Sequence, residues 1–149
     1  MKVDDHMTVH QISVFLENRA GQLSEITQVL ADNAIDMRAI SIAETADYGV
    51  LRLIVDQPQK ATTLLLEHGF ILSMTPVTVV AVPDQPGGLA PVLKLLAEAN
   101  IDIEYMYSLF THTDGKAYMV FRVSDDEGFA ATLTAHGISP VGTEELGIQ

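Results

Sequence analysis

Hydrophobic positions along the chain switch between two periods. From Val9 to Leu16, β-branched and aromatic residues form a strand-like run. After the turn Glu17-Asn18-Arg19-Ala20-Gly21 the period lengthens: Leu23, Ile26 and Leu30 fall at i, i+3 and i+7 and predict a helix. Asn33 is placed at its end, where a left-handed residue is tolerated. A strand near Met37–Ala43, a hairpin marked by Asp47-Tyr48-Gly49 and a strand over Val50–Val55 follow. A second helix is expected over roughly Pro58–His68, with Pro58 suited to the first turn and Gly69 beyond the end. A short final strand lies within Phe70–Met74.

The same order then repeats. Val77–Val82 is a strand, Pro83-Asp84-Gln85-Pro86-Gly87 a turn, and Leu89, Val92 and Leu96 the helix stripe, with Asn100 at its end. Strands over Ile103–Phe110 and Ala117–Val123 flank the turn signal Asp114-Gly115, and a helix over Asp126–His136 ends at Gly137 before a short last strand. Gly21 and Gly87, Leu23 and Leu89, Leu30-Ala31 and Leu96-Ala97, and Ile35-Asp36 and Ile101-Asp102 all match at one constant offset. After a two-residue difference in length, Glu67-His68-Gly69 meets Ala135-His136-Gly137. A duplicated unit of about seventy residues is too long for most solenoid repeats and suits a small α/β module. Two split β-α-β crossovers per unit predict an α+β chain of two ferredoxin-like βαββαβ units, each with an antiparallel sheet and both helices on one face. The expected division is an N-terminal extension over 1–8, a first unit over 9–76 and a second over 77–149.

The other face of each sheet has its own pattern. A sheet with one side in water alternates polar and apolar residues. Here Leu51/Leu53/Val55 and Val50/Ile54 are both apolar, as are Met119/Phe121 and Tyr118/Val120, with Arg52 and Arg122 among them. With the helices on Leu51, Leu53, Val55, Met119 and Phe121, the set Val50, Ile54, Tyr118 and Val120 is expected to face outward. An exposed patch of that kind calls for a homodimer.

Composition narrows the function. Asp plus Glu total 20 against 8 Lys plus Arg, a formal charge of −12. That surface repels polyanions, so neither nucleic acid nor an anionic membrane is an expected partner. Cysteine is absent, which removes disulfides, thiolate nucleophiles and thiolate metal sites together. No apolar run approaches the ~20 residues that span a bilayer, and Met1–His6 has no apolar signal core; a cytoplasmic protein is the default.

Catalytic chemistry is thin. His68 and His136 precede the glycines that end the second helices, where a cap is the plain reading; His6, His10 and His112 have no ligand spacing among them. No catalytic residue, metal or cofactor is expected. Arg19 occupies a turn where acylphosphatases place a phosphate-gripping arginine, but the surrounding pattern is missing and the second copy has Gln85 there. Tyr105 and Tyr107 are the only aromatic platform for RNA, and the charge is wrong. The turn-and-helix segments remain, because a helix start after Asn or Asp with glycine offers free N–H groups to an anion.

The turns Asn18-Arg19-Ala20-Gly21-Gln22-Leu23 and Asp84-Gln85-Pro86-Gly87-Gly88-Leu89 resemble the N/D-x-P-G-x-L signature of ACT domains, and Ile35-Asp36 and Ile101-Asp102 resemble the segment after their first helix. The likeness covers nearly the whole chain and is nearest to small stand-alone proteins of two ACT domains. It implies a non-catalytic sensor that binds a small amino acid. The implied ligand residues are Asn18, Arg19, Ala20, Gly21, Gln22, Leu23 and Asp36 in the first copy, and Asp84, Gln85, Pro86, Gly87, Gly88, Leu89 and Asp102 in the second. Ala20 departs from the proline of the signature, and Leu16 replaces a polar contact of the serine-sensing branch. Turn and aspartate flank one helix, about 18–20 Å apart, so one unit cannot grip a small ligand with both. Side-by-side packing about a two-fold axis is expected to bring Asn18 to Asp102 and Asp84 to Asp36. The regulated partner is expected to be a metabolic enzyme. The competing implication is a subunit without a ligand of its own, similar to the small regulatory subunit of acetolactate synthase.

Overall fold

The computed structural model describes residues 8–17, 19–44, 48–110 and 113–149. Asn18, Asp47, His6, His112 and nearly all of the expected N-terminal extension lie outside the described residues. The chain forms two compact units, one of His10–Thr75 with Gly147–Gln149 and the other of Pro76–Leu146 with Val9. The first unit contains β1 (Val9–Glu17) from its second residue on, α1 (Gln22–Asp32), β2 (Met37–Glu44), β3 (Tyr48–Val55) and α2 (Pro58–Glu67). β4 (Ile71–Pro83) runs from the first unit into the second, which continues with α3 (Ala90–Glu98), β5 (Ile103–Ser108), β6 (Lys116–Val123) and α4 (Asp126–Ala135).

Each unit is ferredoxin-like. Strand order is β2-β3-β1-β4 in the first and β4-β6-β5 in the second. The middle strands pair antiparallel with both neighbours for which the register is known, as in Val14 opposite Leu51 and Val80 opposite Met119. Two strands expected to be separate, Phe70–Met74 and Val77–Val82, form the single strand β4. Pro76 accounts for this, since a residue before proline is driven into extended backbone, and Thr75 there continues the strand. The short last strand expected in the second unit is reduced to one bridge, Val141 to Val79, with the Val141 N–H 2.8 Å from the Val79 carbonyl. Pro140 beside it has no N–H to extend the ladder.

The helices end alike. A left-handed residue follows each C-cap: Ala34, Gly69, Asn100 and Gly137. The next residue is apolar, and its N–H reaches back to a leucine carbonyl: Ile35 to Leu30, Phe70 to Leu65, Ile101 to Leu96 and Ile138 to Leu133, at 2.9–3.1 Å. This is the Schellman closure, in which the apolar residue also covers the leucine it bonds. Sequence reasoning places the left-handed residue of the first helix at Asn33; it is Ala34, with φ 55°, in register with Asn100. Asn33 instead turns its amide onto the Val29 carbonyl at 2.8 Å.

Helix stripe and strand alternation meet in one core per unit. Ile26, Val29 and Leu30 of α1 and Ala61 and Leu65 of α2 pack on Ile12, Val14, Leu51, Leu53 and Val55. Val92 and Leu96 of α3 and Phe129 and Leu133 of α4 pack on Val80, Val82, Phe121 and Val123, with Phe121 and Phe129 edge to face at 5.4 Å. The strand phase is therefore as expected, but the exposure of the opposite set is not. Ile54 and Val120 are fully buried within the single chain, Tyr118 is 5% exposed, and Val50 is half-buried. These positions offer no outward apolar patch, so the ground on which a homodimer is expected is absent from them.

Two consequences can be measured. Alanine in left-handed backbone is strained where glycine is not, so Ala34→Gly is expected to raise unfolding stability by about 0.5–1 kcal/mol in urea denaturation. A loss would show that Ala34 is unstrained. Asp125, at the start of α4, accepts the Gly128 N–H at 2.9 Å. Its replacement by alanine should cost about 1 kcal/mol in the same measurement, whereas Asp84→Ala, at a helix start without a side-chain cap, should cost less.

Candidate functional site

The two copies build the turn before the first helix differently from the same backbone. In the first, the Arg19 N–H bonds the Glu17 carbonyl at 2.8 Å; in the second, the Gln85 N–H bonds the Pro83 carbonyl at 3.0 Å. At the end of β1, the Glu17 N–H needs an acceptor, and the buried Gln22 side chain supplies it through Oε1 at 2.8 Å. Pro83 stands at the matching place and has no N–H to satisfy. The residue matching Gln22 is Gly88, where a Cβ would sit 1.9 Å from the Pro83 carbonyl oxygen. Helix α1 begins directly after Gly21, whereas Gly88 and Leu89 stay in the turn and α3 begins at Ala90. Neither helix start carries a side-chain cap. At α1 the first N–H groups and the positive end of the helix dipole are thus available to an anion, whereas α3 offers fewer, since Pro91 has no N–H and the Val92 N–H bonds the Leu89 carbonyl at 3.1 Å.

At the other end of each first helix, a reciprocal contact fixes the aspartate. The Asp36 N–H donates to Asp56 Oδ1 at 2.9 Å, while the Asp56 N–H donates to the Asp36 carbonyl at 3.0 Å. In the second copy the Asp102 N–H donates to Ser124 Oγ at 3.1 Å, and the Ser124 N–H returns to the Asp102 carbonyl at 2.9 Å. Both strands that follow bulge at the next position but one, putting Arg38 in one copy where Glu104 stands in the other. Arg38 forms an ion pair with the Asp36 carboxylate. Glu104 instead meets Arg122 Nε at 3.2 Å, and Arg122 also reaches Asp126 at 3.1 Å. Asp102 has no ion pair among the described residues and keeps an exposed carboxylate.

The residues singled out from sequence therefore divide into two groups per unit. Arg19, Ala20, Gly21, Gln22 and Leu23 form the turn and start of α1, with Asp36 beyond its far end; the helix between is about 16 Å long at 1.5 Å per residue. Asp84, Gln85, Pro86, Gly87, Gly88 and Leu89 precede α3, with Asp102 beyond it. Arg19 is a solvated loop arginine between Glu17 and Glu25, 3.6 Å from each. His68 and His136 are caps, their Nδ1 atoms 2.8 and 2.9 Å from the Leu64 and Thr132 carbonyls. Two grooves in the second unit involve none of the turn residues and neither aspartate, although His136 and Thr132 line the first of them. One of about 380 Å³ lies between α3 and α4, and one of about 540 Å³ lies beside Lys116, Pro140 and Glu144. Sequence reasoning missed Arg38, Asp56 and Ser124. Strand alternation hides a bulge, although the opposite charges of Arg38 and Glu104 at matched positions were there to be read.

The sequence matches the family of ACT domain pairs over residues 7–146. Among solved structures, protein BT0572 from Bacteroides thetaiotaomicron is similar at 38% identity, over 95% of this chain and 96% of that one, with a TM-score of 0.86. The regulatory subunit of aspartate kinase from Thermus thermophilus, in its ligand-free form, shares the fold at 18% identity and a TM-score of 0.64, over 92% of this chain and 96% of that one. The corresponding regulatory subunit from Thermus flavus does so at 16% identity and a TM-score of 0.57, over 94% and 93%. No curated protein matches the sequence. No helix among the described residues is long and apolar enough to cross a membrane. With its duplicated turn, helix and strand order matched along almost its whole length, the chain belongs to the ACT domain pair family.

Proposed function

We propose that this protein is a non-catalytic regulator that binds a small amino acid through its ACT units and passes that state to a metabolic enzyme. The observation that carries the reading is the pairing of chemistry at the two ends of each first helix. The uncapped start of α1 suits an α-carboxylate, that of α3 less so because Pro91 supplies no N–H, and an exposed aspartate suits an α-ammonium. The two ends of one helix are too far apart for one small ligand to meet both, so its carboxylate and its ammonium take their contacts from different ACT units. The shared fold with aspartate kinase regulatory subunits supports the regulatory role.

The two aspartates are not equivalent. Arg38 already neutralises Asp36, whereas Asp102 has no cationic partner among the described residues. Asp102 is therefore the stronger ammonium ligand. A thermal-shift screen with the twenty protein amino acids tests the reading: a ligand at about 100 times its Kd adds ~2.7 kcal/mol, and no shift with any of them rejects it. Asp102→Asn is expected to weaken the amino acid so found by roughly ten- to hundredfold, from the loss of one charge-assisted contact. Asp36→Asn should weaken it less. Equal or reversed effects in calorimetric titration would remove Asp102 from its assigned role.

A further inference from the structure

One corner of each sheet, on the face away from the helices, is finished in opposite ways by the two copies. In the first unit Phe15 of β1 lies opposite Val50 of β3, and Glu17 lies opposite Tyr48. Strand alternation therefore puts Phe15, Glu17, Tyr48 and Val50 on one face, the reverse of the one on which Val14 and Leu51 meet the core. The Phe15 and Tyr48 rings stack with centroids 4.7 Å apart, yet the two residues stay 43% and 40% exposed. They form an aromatic knob in water. Charges of both signs flank it, because Glu17 stands beside Tyr48 and Arg19 lies 3.6 Å from the Glu17 carboxylate, both side chains exposed.

The second unit has the same corner without the rings. Ala81 of β4, opposite Tyr118, matches Phe15, and Lys116, opposite Pro83, matches Tyr48. Tyr118 is buried, with its hydroxyl 3.4 Å from Thr113 Oγ1, and is not part of the groove wall. The groove of about 540 Å³ lies at this corner, beside the single bridge from Val141 to Val79. Ala81, Pro140 and Val141 give it apolar surface; Lys116, Glu144 and Glu145 give it charge. None of these three charges has an ion pair among the described residues. Knob and groove are thus opposites. Rings meet apolar surface, the Lys116 ammonium suits both a ring face and the Glu17 carboxylate, and Glu144 and Glu145 suit the Arg19 guanidinium.

We infer that Phe15 and Tyr48 of one copy seat in the Ala81 groove of a second copy, a head-to-tail contact through which the protein associates with itself. The contact needs no bound amino acid. Two rings bury about 150–250 Å² each, less than the ~800 Å² per partner of a stable complex, so the association is reversible. Sedimentation equilibrium across the micromolar range tests it, with variants that exchange residues between the two copies. Phe15→Ala with Tyr48→Lys removes the knob, and Ala81→Phe fills the groove; each new side chain is the one the matched position already carries. The unaltered chain is expected to rise with concentration above the mass of one chain. Each variant alone should stay at one chain, while an equal mixture should form a species of two chains, because the knob of one still meets the groove of the other. A monomeric unaltered chain overturns the contact, and so does a mixture that stays monomeric. Self-association of Ala81→Phe as strong as that of the unaltered chain overturns it too, since the knob would then be meeting something else. Circular dichroism checks each fold. Should the knobless variant fail to fold, Ala81→Phe decides alone: a loss of roughly tenfold or more in association supports the contact, and an unchanged constant overturns it.

Discussion

Each unit is closed by one reciprocal contact, in which the residue leaving the first helix and the residue entering the second exchange hydrogen bonds. Asp36 with Asp56 and Asp102 with Ser124 are the two instances. The contact joins segments about twenty residues apart in sequence and pins the start of an edge strand beside the end of the central one. The bulge, the orientation of the aspartate and the first turn of the second helix are all set from there. An exposed carboxylate at this point has a fixed backbone on both sides, so its direction is set by the fold.

Identical scaffolding with unlike decoration is the second lesson of the fold. The Schellman closures repeat four times with the same leucine-to-apolar spacing, because each must bury the same kind of contact. Polar partners are under no such demand. Asp56 and Ser124 both accept from the aspartate N–H; Arg38 and Glu104 carry opposite charges and find opposite partners. Constraint thus lies in the backbone geometry and the core, and freedom lies in who holds the carboxylates.

Much of the fold was legible because it depends on periodicity. The switch from period two to helix spacing located α1 and α3, Pro58, Gly69 and Gly137 bounded α2 and α4, and the alternation along Leu51–Val55 and Tyr118–Val123 gave the correct helix-facing set. What escaped depends on single residues. Ala34 carries a left-handed backbone that sequence assigns more readily to an asparagine, because tertiary closure overrides local preference. The missing last strand turns on Pro140, and the merged strand β4 on Pro76. Burial of Ile54, Tyr118 and Val120 could not be read from alternation, which reports an apolar set without saying what withdraws it from water. Of the candidate site, the turns and aspartates were legible from the repeat. Arg38 and Asp56 were not, because their contacts with Asp36 depend on a strand bulge and on a backbone pairing twenty positions apart.

The two ways of finishing the first strand constrain how the copies can exchange residues. Glutamine at position 22 is useful only while position 17 has an N–H to offer it, and glycine at position 88 is required where a carbonyl crowds that space. Replacing Gln22 by glycine alone would strip a donor of its acceptor; replacing Gly88 by glutamine alone would drive a side chain into a backbone oxygen. Positions 17 and 22 therefore behave as one heritable character, as do 83 and 88. Moving one member of either pair between the copies without the other thus costs a hydrogen bond in the first unit and a clash in the second, whereas moving both together costs neither.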